Sequence, residues 1–286
     1  EVQNKGVEVG LSWNDNIADF RYGVNVNMAY NKNVVTKIAN GEGIIYGPND
    51  VLDQNTGYLF LAQEGYPIGY FYGYKTNGIF QNAEQVANTE AKVVDAAPGD
   101  LIFVDTDKDG DIDSDDRTML GNPHPDVNLG FGLNMEYKGF DFSITANGAF
   151  GHQIAQSYRP QTNKLYYNYT KQMMDERWHG EGTSNTFPRL GNAANFNKVS
   201  DIYIQDADYV RIQNITLGYD FKRLWKKSPL KQMRLYLSLQ NWFTFTGYDG
   251  FDPAVGYGGG TDWASGVDLG FYPSAKSFII GANLKF

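Results

Sequence analysis

Cysteine is absent from the 286-residue sequence, which excludes a disulfide scaffold, thiol catalysis and a cysteine metal site. No run of about 18 apolar residues occurs, so the sequence predicts no transmembrane helix. No signal peptide is recognisable at the start. The chain also begins without methionine, close to a strand-like pattern, and we therefore expect a fragment or a processed chain.

Basic charge is scarce. The net charge is −9 and the pI is about 4.8, which makes nucleic acid an unsuitable partner. The sequence has one basic cluster, which spans a short turn and is interpreted as a solvated turn. Its members are Lys222, Arg223, Lys226, Lys227 and Lys231.

Tyrosine, glycine and aromatic residues are abundant, and they favour β-structure with long loops. The chain has 20 Tyr and 32 Gly, and 15% of its residues are aromatic. Apolar and polar residues alternate with the period of a β-strand along seven segments. These segments are 7–14, 20–30, 127–137, 140–150, 208–221, 231–243 and 277–286.

Two local features refine the strand pattern. The apolar positions change phase between Ile212 and Ile215, so we expect a β-bulge near Gln213–Asn214. The pair Lys138–Gly139 separates two alternating segments and predicts a tight hairpin.

Strand length and loop length together predict an all-β transmembrane barrel. The strands are about ten residues long, as a tilted membrane-crossing strand requires, whereas soluble strands average about five or six. Their polar faces carry mostly Gly, Asn, Ser and Thr. Short connections at 15–19, 138–139 and 222–230 alternate with long ones at 31–126, 151–207 and 244–275. Outer-membrane barrels have short periplasmic turns and long extracellular loops.

Seven strands cannot close such a barrel alone, since single-chain bacterial barrels have an even number of strands, eight or more. Open sheet edges in lipid would leave backbone groups unpaired. We therefore expect the rest of the barrel to lie outside this chain. A secreted β-sandwich with decorated loops is the alternative fold.

An acidic stretch, DTDKDGDIDSDD at 105–116, has the spacing of an EF-hand calcium loop. Gly110 occupies the turn position and Ile112 the apolar anchor position. Position 12 is Asp rather than Glu, and Asp115 competes with it as a ligand. The predicted ligands are Asp105, Asp107, Asp109, Asp111, Asp113 and Asp116.

The expected ion is Ca²⁺, with Mg²⁺ possible, and a solvated acidic loop is the alternative. No amphipathic helices flank the loop. A bound ion would therefore stiffen a loop rather than operate a sensor.

Several stretches resemble one known family, the SusC/RagA-type TonB-dependent outer-membrane transporters of Bacteroidetes. The resemblance rests on GYPIGYFYGYKTNGIFQN at 65–82, on the segment 98–144 around the acidic loop, and on RWHGEGTSNTFPRL at 177–190 with DADYVRIQNITLGYDF at 206–221. The C-terminal strand ending in Phe286 is similar too.

The resemblance implies that residues 1–286 form the C-terminal part of a 22-stranded barrel, with the family's plug domain absent from this chain. It implies import of oligosaccharides, or of oligopeptides, across the outer membrane. The implied partners are the rest of the barrel and plug, a SusD-like surface lipoprotein acting as a lid, and TonB–ExbB–ExbD through the missing N-terminal part. Phe286 looks like the barrel-assembly signal.

Aromatic residues in the long loops are candidate ligand contacts, since Tyr and Trp offer large rigid surfaces with a hydrogen-bonding tip. The same residues can instead form loop cores or contact the lid. The candidates are Tyr70, Tyr72, Tyr166, Tyr167 and Trp178.

Catalysis has little support in the sequence. His124, His152 and His179 have no Ser or Cys partner pattern nearby, and we predict that the protein is not an enzyme. Besides a transporter, two functions stay open: a secreted, calcium-stabilised β-sandwich binding module or adhesin, and a surface hydrolase.

Overall fold

The computed structural model describes residues 1–52, 56–157 and 169–286. The fold is all-β with two short helices, α1 (Ala83–Asn88) and α2 (Lys171–Glu176). No helix in the described ranges is long and apolar enough to cross a membrane. The strands are β1 Val2–Ile17, β2 Phe20–Val35, β3 Ile44–Tyr46, β4 Phe60–Gln63, β5 Tyr70–Tyr74, β6 Thr76–Ile79, β7 Leu101–Phe103, β8 Arg117–Gly121, β9 Val127–Tyr137, β10 Phe140–Phe150, β11 Gln153–Gln156, β12 Ile204–Asp206, β13 Tyr209–Asp220, β14 Gln232–Thr246, β15 Val267–Asp268 and β16 Ser277–Lys285.

Seven long strands form one antiparallel sheet, here called the main sheet, in the order β1-β2-β9-β10-β13-β14-β16. Each strand therefore pairs with the next long strand along the chain. The seven predicted strands are confirmed. The first two are longer than predicted, at 16 residues each, because they remain paired with each other beyond the alternating segments, where Lys5, Asp15 and Lys32 interrupt the apolar pattern.

The predicted hairpin and the predicted bulge are both present. Lys138 and Gly139 form the turn between β9 and β10, each with a positive φ. Thr145 pairs with Asn214 while Ala146 pairs with Ile212, so Gln213 is the extra residue. The bulge restores Val210 and Ile212 to the face that carries Ile215 and Leu217.

The apolar face of the main sheet is exposed. Trp13 is 62% exposed and Ile280 is 75% exposed, at opposite ends of the strand order. A β-sandwich would cover this face with a second sheet, so the exposure favours a sheet whose apolar face meets lipid.

Aromatic residues limit the apolar face near the short connections. Phe20, Tyr137, Phe140 and Tyr219 stand opposite one another on consecutive strands. Near the long connections, Tyr30 is opposite Val127. Ten residues of β2 separate Phe20 from Tyr30, which is about 33 Å of strand, or about 25 Å of height at a tilt of about 40°. That height matches the apolar band of an outer-membrane barrel.

The opposite face of the main sheet is polar and closely packed. Asn27 lies against Gly130, where a Cβ atom would meet its Oδ1 at 1.9 Å. Near the short connections, Arg234 Nε donates to Asp141 Oδ2 at 2.7 Å across the surface of Gly218. Small residues on this face thus leave room for hydrogen-bonded side chains from neighbouring strands.

The three long connections fold together into a compact unit, which we call the loop module. From the observed strand ends, these connections are 36–126, 151–208 and 247–276, rather than 31–126, 151–207 and 244–275. Their small strands form three further sheets. One buried cluster draws on all three connections and contains Leu52, Leu59, Phe60, Phe71, Ala155, Val199, Tyr203, Ala264 and Val267.

Most of the hydrophobic core lies in the loop module. The largest fully buried side chains come from the first two connections: Tyr70, Tyr203, Phe60, Phe71, Phe80, Phe196, Leu59, Leu61, Ile79, Leu101, Ile154 and Met173. The long loops are therefore packed structure, with the main sheet as their base.

Candidate functional site

The acidic loop is a compact turn on the surface of the loop module. Carboxylate oxygens of Asp105, Asp107 and Asp109 lie within 4.8 Å of one another, close enough to share one ion. Gly110 has a φ of +96°, which an L residue would adopt only with strain. Its N–H donates to Asp105 Oδ2 at 3.0 Å. The predicted glycine therefore makes the sharp turn that directs these carboxylates inward.

Asp116 closes the acidic loop. Its carboxylate is fully buried and accepts the backbone N–H of Thr106 at Oδ1 and that of Asp113 at Oδ2. The first hydrogen bond joins the start of the loop to its end, and the second closes its last turn. The exposed Asp109 and Asp113 side chains accept hydrogen bonds from backbone N–H groups two residues further on, those of Asp111 and Asp115 respectively.

The six predicted ligands fit a hard divalent cation in donor chemistry, since all offer carboxylate oxygens. Only Asp105, Asp107 and Asp109 converge in the described structure. Loss of solvation, followed by the charges of neighbouring carboxylates, raises the pKa of the Asp107 carboxyl. A cation at this point would relieve that repulsion.

Ile112 anchors the acidic loop to the loop module. It packs against a buried cluster of Tyr74, Ile79, Leu101 and Phe103. The sequence predicts an apolar anchor at this position, and the prediction is confirmed. The conformation of the acidic loop is therefore coupled to a core that includes Tyr74, the last residue of β5.

Two cations lie beside the acidic loop. The Arg117 guanidinium stacks 4.4 Å from the centre of the Tyr72 ring, and the Lys198 ammonium lies 4.3 Å from that of Tyr74. Burial lowers the pKa of both Arg117 and Lys198. Arg117 follows Asp116 directly and begins β8, which pairs with β5, so the loop leads straight into the aromatic strand.

The candidate ligand-contacting aromatics occupy different environments in the structure. Tyr70 is fully buried, its hydroxyl donates to Gln63 at 2.8 Å, and burial raises its pKa. Tyr70 is thus part of the loop core and does not present a surface to a ligand. Tyr72 is half-buried beneath Arg117. Tyr166 and Tyr167 lie outside the described residues.

Trp178 also has a structural position. It packs on the buried cluster around Leu101, and a Cβ atom on Gly99 would lie 2.4 Å from its ring. Its indole N–H donates to Gln81 at 3.2 Å. Trp178 therefore joins the second long connection to the first.

Asp100 is a central residue that the sequence analysis did not identify. It is fully buried and accepts hydrogen bonds from Arg189 Nε at 2.7 Å, Asn192 at 2.9 Å and Asn195 at 3.1 Å. It also accepts the backbone N–H of Ala97 at 2.9 Å. These donors come from both sides of the interface between the first two long connections. The preceding Pro98–Gly99 marks a turn, but no sequence pattern pairs Asp100 with residues about 90 positions away.

The three histidines contact backbone carbonyl groups, those of Ile68, Pro253 and Arg177 for His124, His152 and His179 respectively. Burial lowers the pKa of His124 and His152. Their positions are those of structural residues in the loop module.

Known proteins similar to this chain are TonB-dependent receptors. The chain is 32% identical to TonB-dependent receptor P3 of Formosa agariphila and 28% identical to TonB-dependent receptor SusC of Bacteroides thetaiotaomicron, over its full length in both cases. This chain belongs to the SusC/RagA-type TonB-dependent receptors. It spans 29% of the first receptor and 26% of the second.

Solved structures of the same architecture support the barrel assignment. The RagAB peptide transporter matches the whole of this SusC/RagA-type chain with a TM-score of 0.75 at 20% identity, over 29% of that chain. Its open-open state gives a TM-score of 0.74 at 21% identity. The main sheet therefore corresponds to part of a TonB-dependent receptor barrel. No family model matches the sequence. The matched relatives are named as receptors, a class without catalytic activity.

Proposed function

We propose that the chain forms part of the wall and outer loops of a receptor that imports an oligomeric nutrient across the bacterial outer membrane. The observation that carries this proposal is the exposed apolar band, about 25 Å high, on a meander of antiparallel strands. The opposite polar face would line the lumen. The loop module would then lie on the extracellular side, where it could contact ligand.

The proposed partners follow from the same orientation. The edges of β1 and β16 would pair with the rest of a 22-stranded barrel, since unpaired backbone in lipid is costly. A SusD-like surface lipoprotein would cover the loop module. TonB–ExbB–ExbD would act through the plug of the receptor, and Phe286 would serve as the assembly signal.

For the ligand we propose an oligosaccharide, with an oligopeptide as the second candidate. The family resemblance of the sequence implies the first, and the RagAB structure, described as that of a peptide importer, supports the second. The structural match at 21% identity or less concerns the fold, so it does not favour peptide over glycan.

Mass spectrometry of the intact complex, extracted in detergent from native outer membrane, tests this proposal. We expect the chain to be recovered with the remaining barrel and plug and with a surface lipoprotein, and a bound oligomer would identify the substrate class. Recovery of a folded monomer from the aqueous fraction without detergent would contradict an outer-membrane receptor and support a secreted binding module.

We also propose that Ca²⁺ occupies the acidic loop, with Mg²⁺ as the alternative. Asp105, Asp107 and Asp109 would supply the first oxygens, and small movements of Asp111 and Asp113 would supply more. Asp116 would serve as a ligand only by exchanging backbone hydrogen bonds for the ion. The ion would stiffen the connection between Ile112 and β8 and so hold a fixed outer surface.

The double substitution Asp107→Ala and Asp109→Ala is expected to abolish the bound ion, because it removes two of the three converging carboxylates. Metal content by mass spectrometry and anomalous scattering measures the loss. Glu42→Ala, which removes an exposed carboxylate elsewhere in the same connection, serves as the control and should retain the ion. Equal metal content in the double variant and the control would refute the ligand assignment.

A further inference from the structure

The connection between β13 and β14 differs from the other short connections of the main sheet. It runs over residues 221–231, whereas two residues suffice between β1 and β2 and between β9 and β10. It begins with a 3₁₀ turn, Phe221–Arg223, and the backbone N–H of Trp225 donates to Phe221 O at 2.9 Å. The connection is therefore an ordered turn, longer than the two-residue turns beside it.

The tip of this turn combines exposed apolar and basic side chains. Leu224 is 71% exposed and Trp225 is 54% exposed. All five residues from Arg223 to Lys227, RLWKK, are exposed. The connection holds five basic residues and no acidic one, in a chain of net charge −9. A merely solvated turn gains nothing from exposing a Leu and a Trp together.

The hydrogen bonds identify which cations are available to a partner. Lys222 Nζ donates to Ser228 O at 2.7 Å and to Lys226 O at 3.2 Å, so it stabilises the turn itself. The Arg223 side chain lies over Gly139 of the adjacent hairpin. The ammonium groups of Lys226 and Lys227 form no hydrogen bond or ion pair within the described part of the chain.

The turn lies at the edge of the apolar band. It follows Tyr219, which belongs to the aromatic row at the short-connection end, and the ring of Phe221 stands edge-on to that of Tyr219 at 5.0 Å. If the band is embedded in lipid, RLWKK lies at the level of the lipid head groups. Tryptophan is enriched at that level, and lysine is attracted to anionic head groups there.

We propose that RLWKK is a lipid-binding turn that selects anionic phospholipid head groups in the leaflet on the short-connection side. Trp225 and Leu224 insert at the boundary of the acyl chains, while Lys226 and Lys227 contact the phosphate groups. This inference rests on the proposed membrane location of the main sheet. It assigns anionic phospholipid as the partner of the basic cluster, which the sequence alone does not indicate.

Quenching of tryptophan fluorescence by brominated lipids tests the proposal in the assembled receptor. The receptor is reconstituted in two bilayers of equal composition, with bromine either on phosphatidylglycerol or on phosphatidylcholine. The signal of Trp225 is obtained by difference from Trp225→Phe. We expect brominated phosphatidylglycerol to quench Trp225 more strongly than its share of the lipid predicts.

The double substitution Lys226→Gln and Lys227→Gln should remove this preference, which we expect to be about tenfold or more in local lipid ratio. Raising the salt concentration should weaken it in the unmodified receptor. Lys276→Gln, an exposed cation at the opposite end of the sheet, should leave the preference unchanged. A preference that survives in the double variant overturns the proposal.

Trp13 separates failure of this inference from failure of the membrane location. It lies on the exposed apolar face near the mid-height of the band, paired with Val24, and its signal follows from Trp13→Phe. Both brominated lipids should quench it in proportion to their amounts. If Trp13 is quenched but Trp225 shows no lipid preference, the lipid-binding turn is refuted. It is also refuted if Trp13 is quenched while a protein partner shields Trp225 from both lipids. A Trp13 that neither lipid quenches refutes the membrane location itself.

Discussion

Replacing Asp100 by Ala is expected to destabilise the loop module by about 3 kcal/mol. Truncating one partner of a buried ion pair costs about 3–5 kcal/mol, because the other partner is left unpaired. The lower end applies because the Arg189 side chain is 35% exposed and can regain water. Asn195, by contrast, is buried and would lose the acceptor of its side-chain amide.

Hydrogen exchange measures this effect locally. The backbone N–H groups of Phe80 and Leu101 lie beside Asp100, bonded to Asp100 O and to Asn195 Oδ1. Their protection should fall by about two orders of magnitude, since 1.4 kcal/mol corresponds to a factor of about ten. Protection in β9 and β10 should not change. Glu90→Ala is the matched control, since Glu90 is an exposed carboxylate of the same connection.

Unchanged protection at Leu101 in Asp100→Ala would mean that the buried cluster, and not the carboxylate, joins the first two long connections. The conservative variant Asp100→Asn refines the result. It keeps the size of the side chain but loses the charge, so protection intermediate between the unmodified protein and Asp100→Ala is expected.

Replacing Leu133 by Arg is expected to cost about 2–4 kcal/mol of folding stability in lipid. Leu133 lies on the apolar face opposite Val24 and Ile144, four residues from the aromatic row at Tyr137. It is therefore near the middle of the apolar band, where a lipid-facing Arg is most costly. Unfolding of the refolded receptor in lipid vesicles measures the loss.

The decisive control for Leu133→Arg is how the cost of a lipid-facing Arg changes with its depth in the bilayer. Tyr137→Arg changes the same strand and the same face at the edge of the band, where the cost falls to about 0–1 kcal/mol. If the apolar face were instead the core of a soluble sandwich, both substitutions would bury a charge and both would be severe. Equal losses at Leu133 and Tyr137 would thus contradict a membrane-spanning sheet.

The strands were predictable because their signal is local. Side chains of a strand alternate between two faces, so the apolar residues from Val127 to Tyr137 show the strand without knowledge of its partners. The bulge at Gln213 was predictable for the same reason. Where the alternation changes phase, one extra residue in the strand returns the apolar side chains to the same face. The glycine and the apolar anchor of the acidic loop also follow from spacing along the chain.

The positions of the candidate ligand-contacting aromatics were less predictable. Tyr70 and Trp178 are aromatic residues in long loops, as exposed aromatics would be. Only their packing in the tertiary structure shows that Tyr70 is buried and that Trp178 lies against a buried cluster. The long connections do not alternate, so no sequence pattern indicates that Phe60, Tyr203 and Val267 meet in one core. Contacts between residues more than 60 positions apart carry no periodic signal.

The sequence by itself determined the seven strands, their inward and outward faces, the hairpin at Lys138–Gly139 and the form of the acidic loop. Each depends on backbone geometry within a few residues. Only the tertiary structure decided that three long loops form one packed module, that Asp100 and Arg189 join two of them, and that RLWKK is exposed at the edge of the apolar band. Those features depend on which distant segments meet, and the free energy of burial that selects them is shared among residues far apart in the chain.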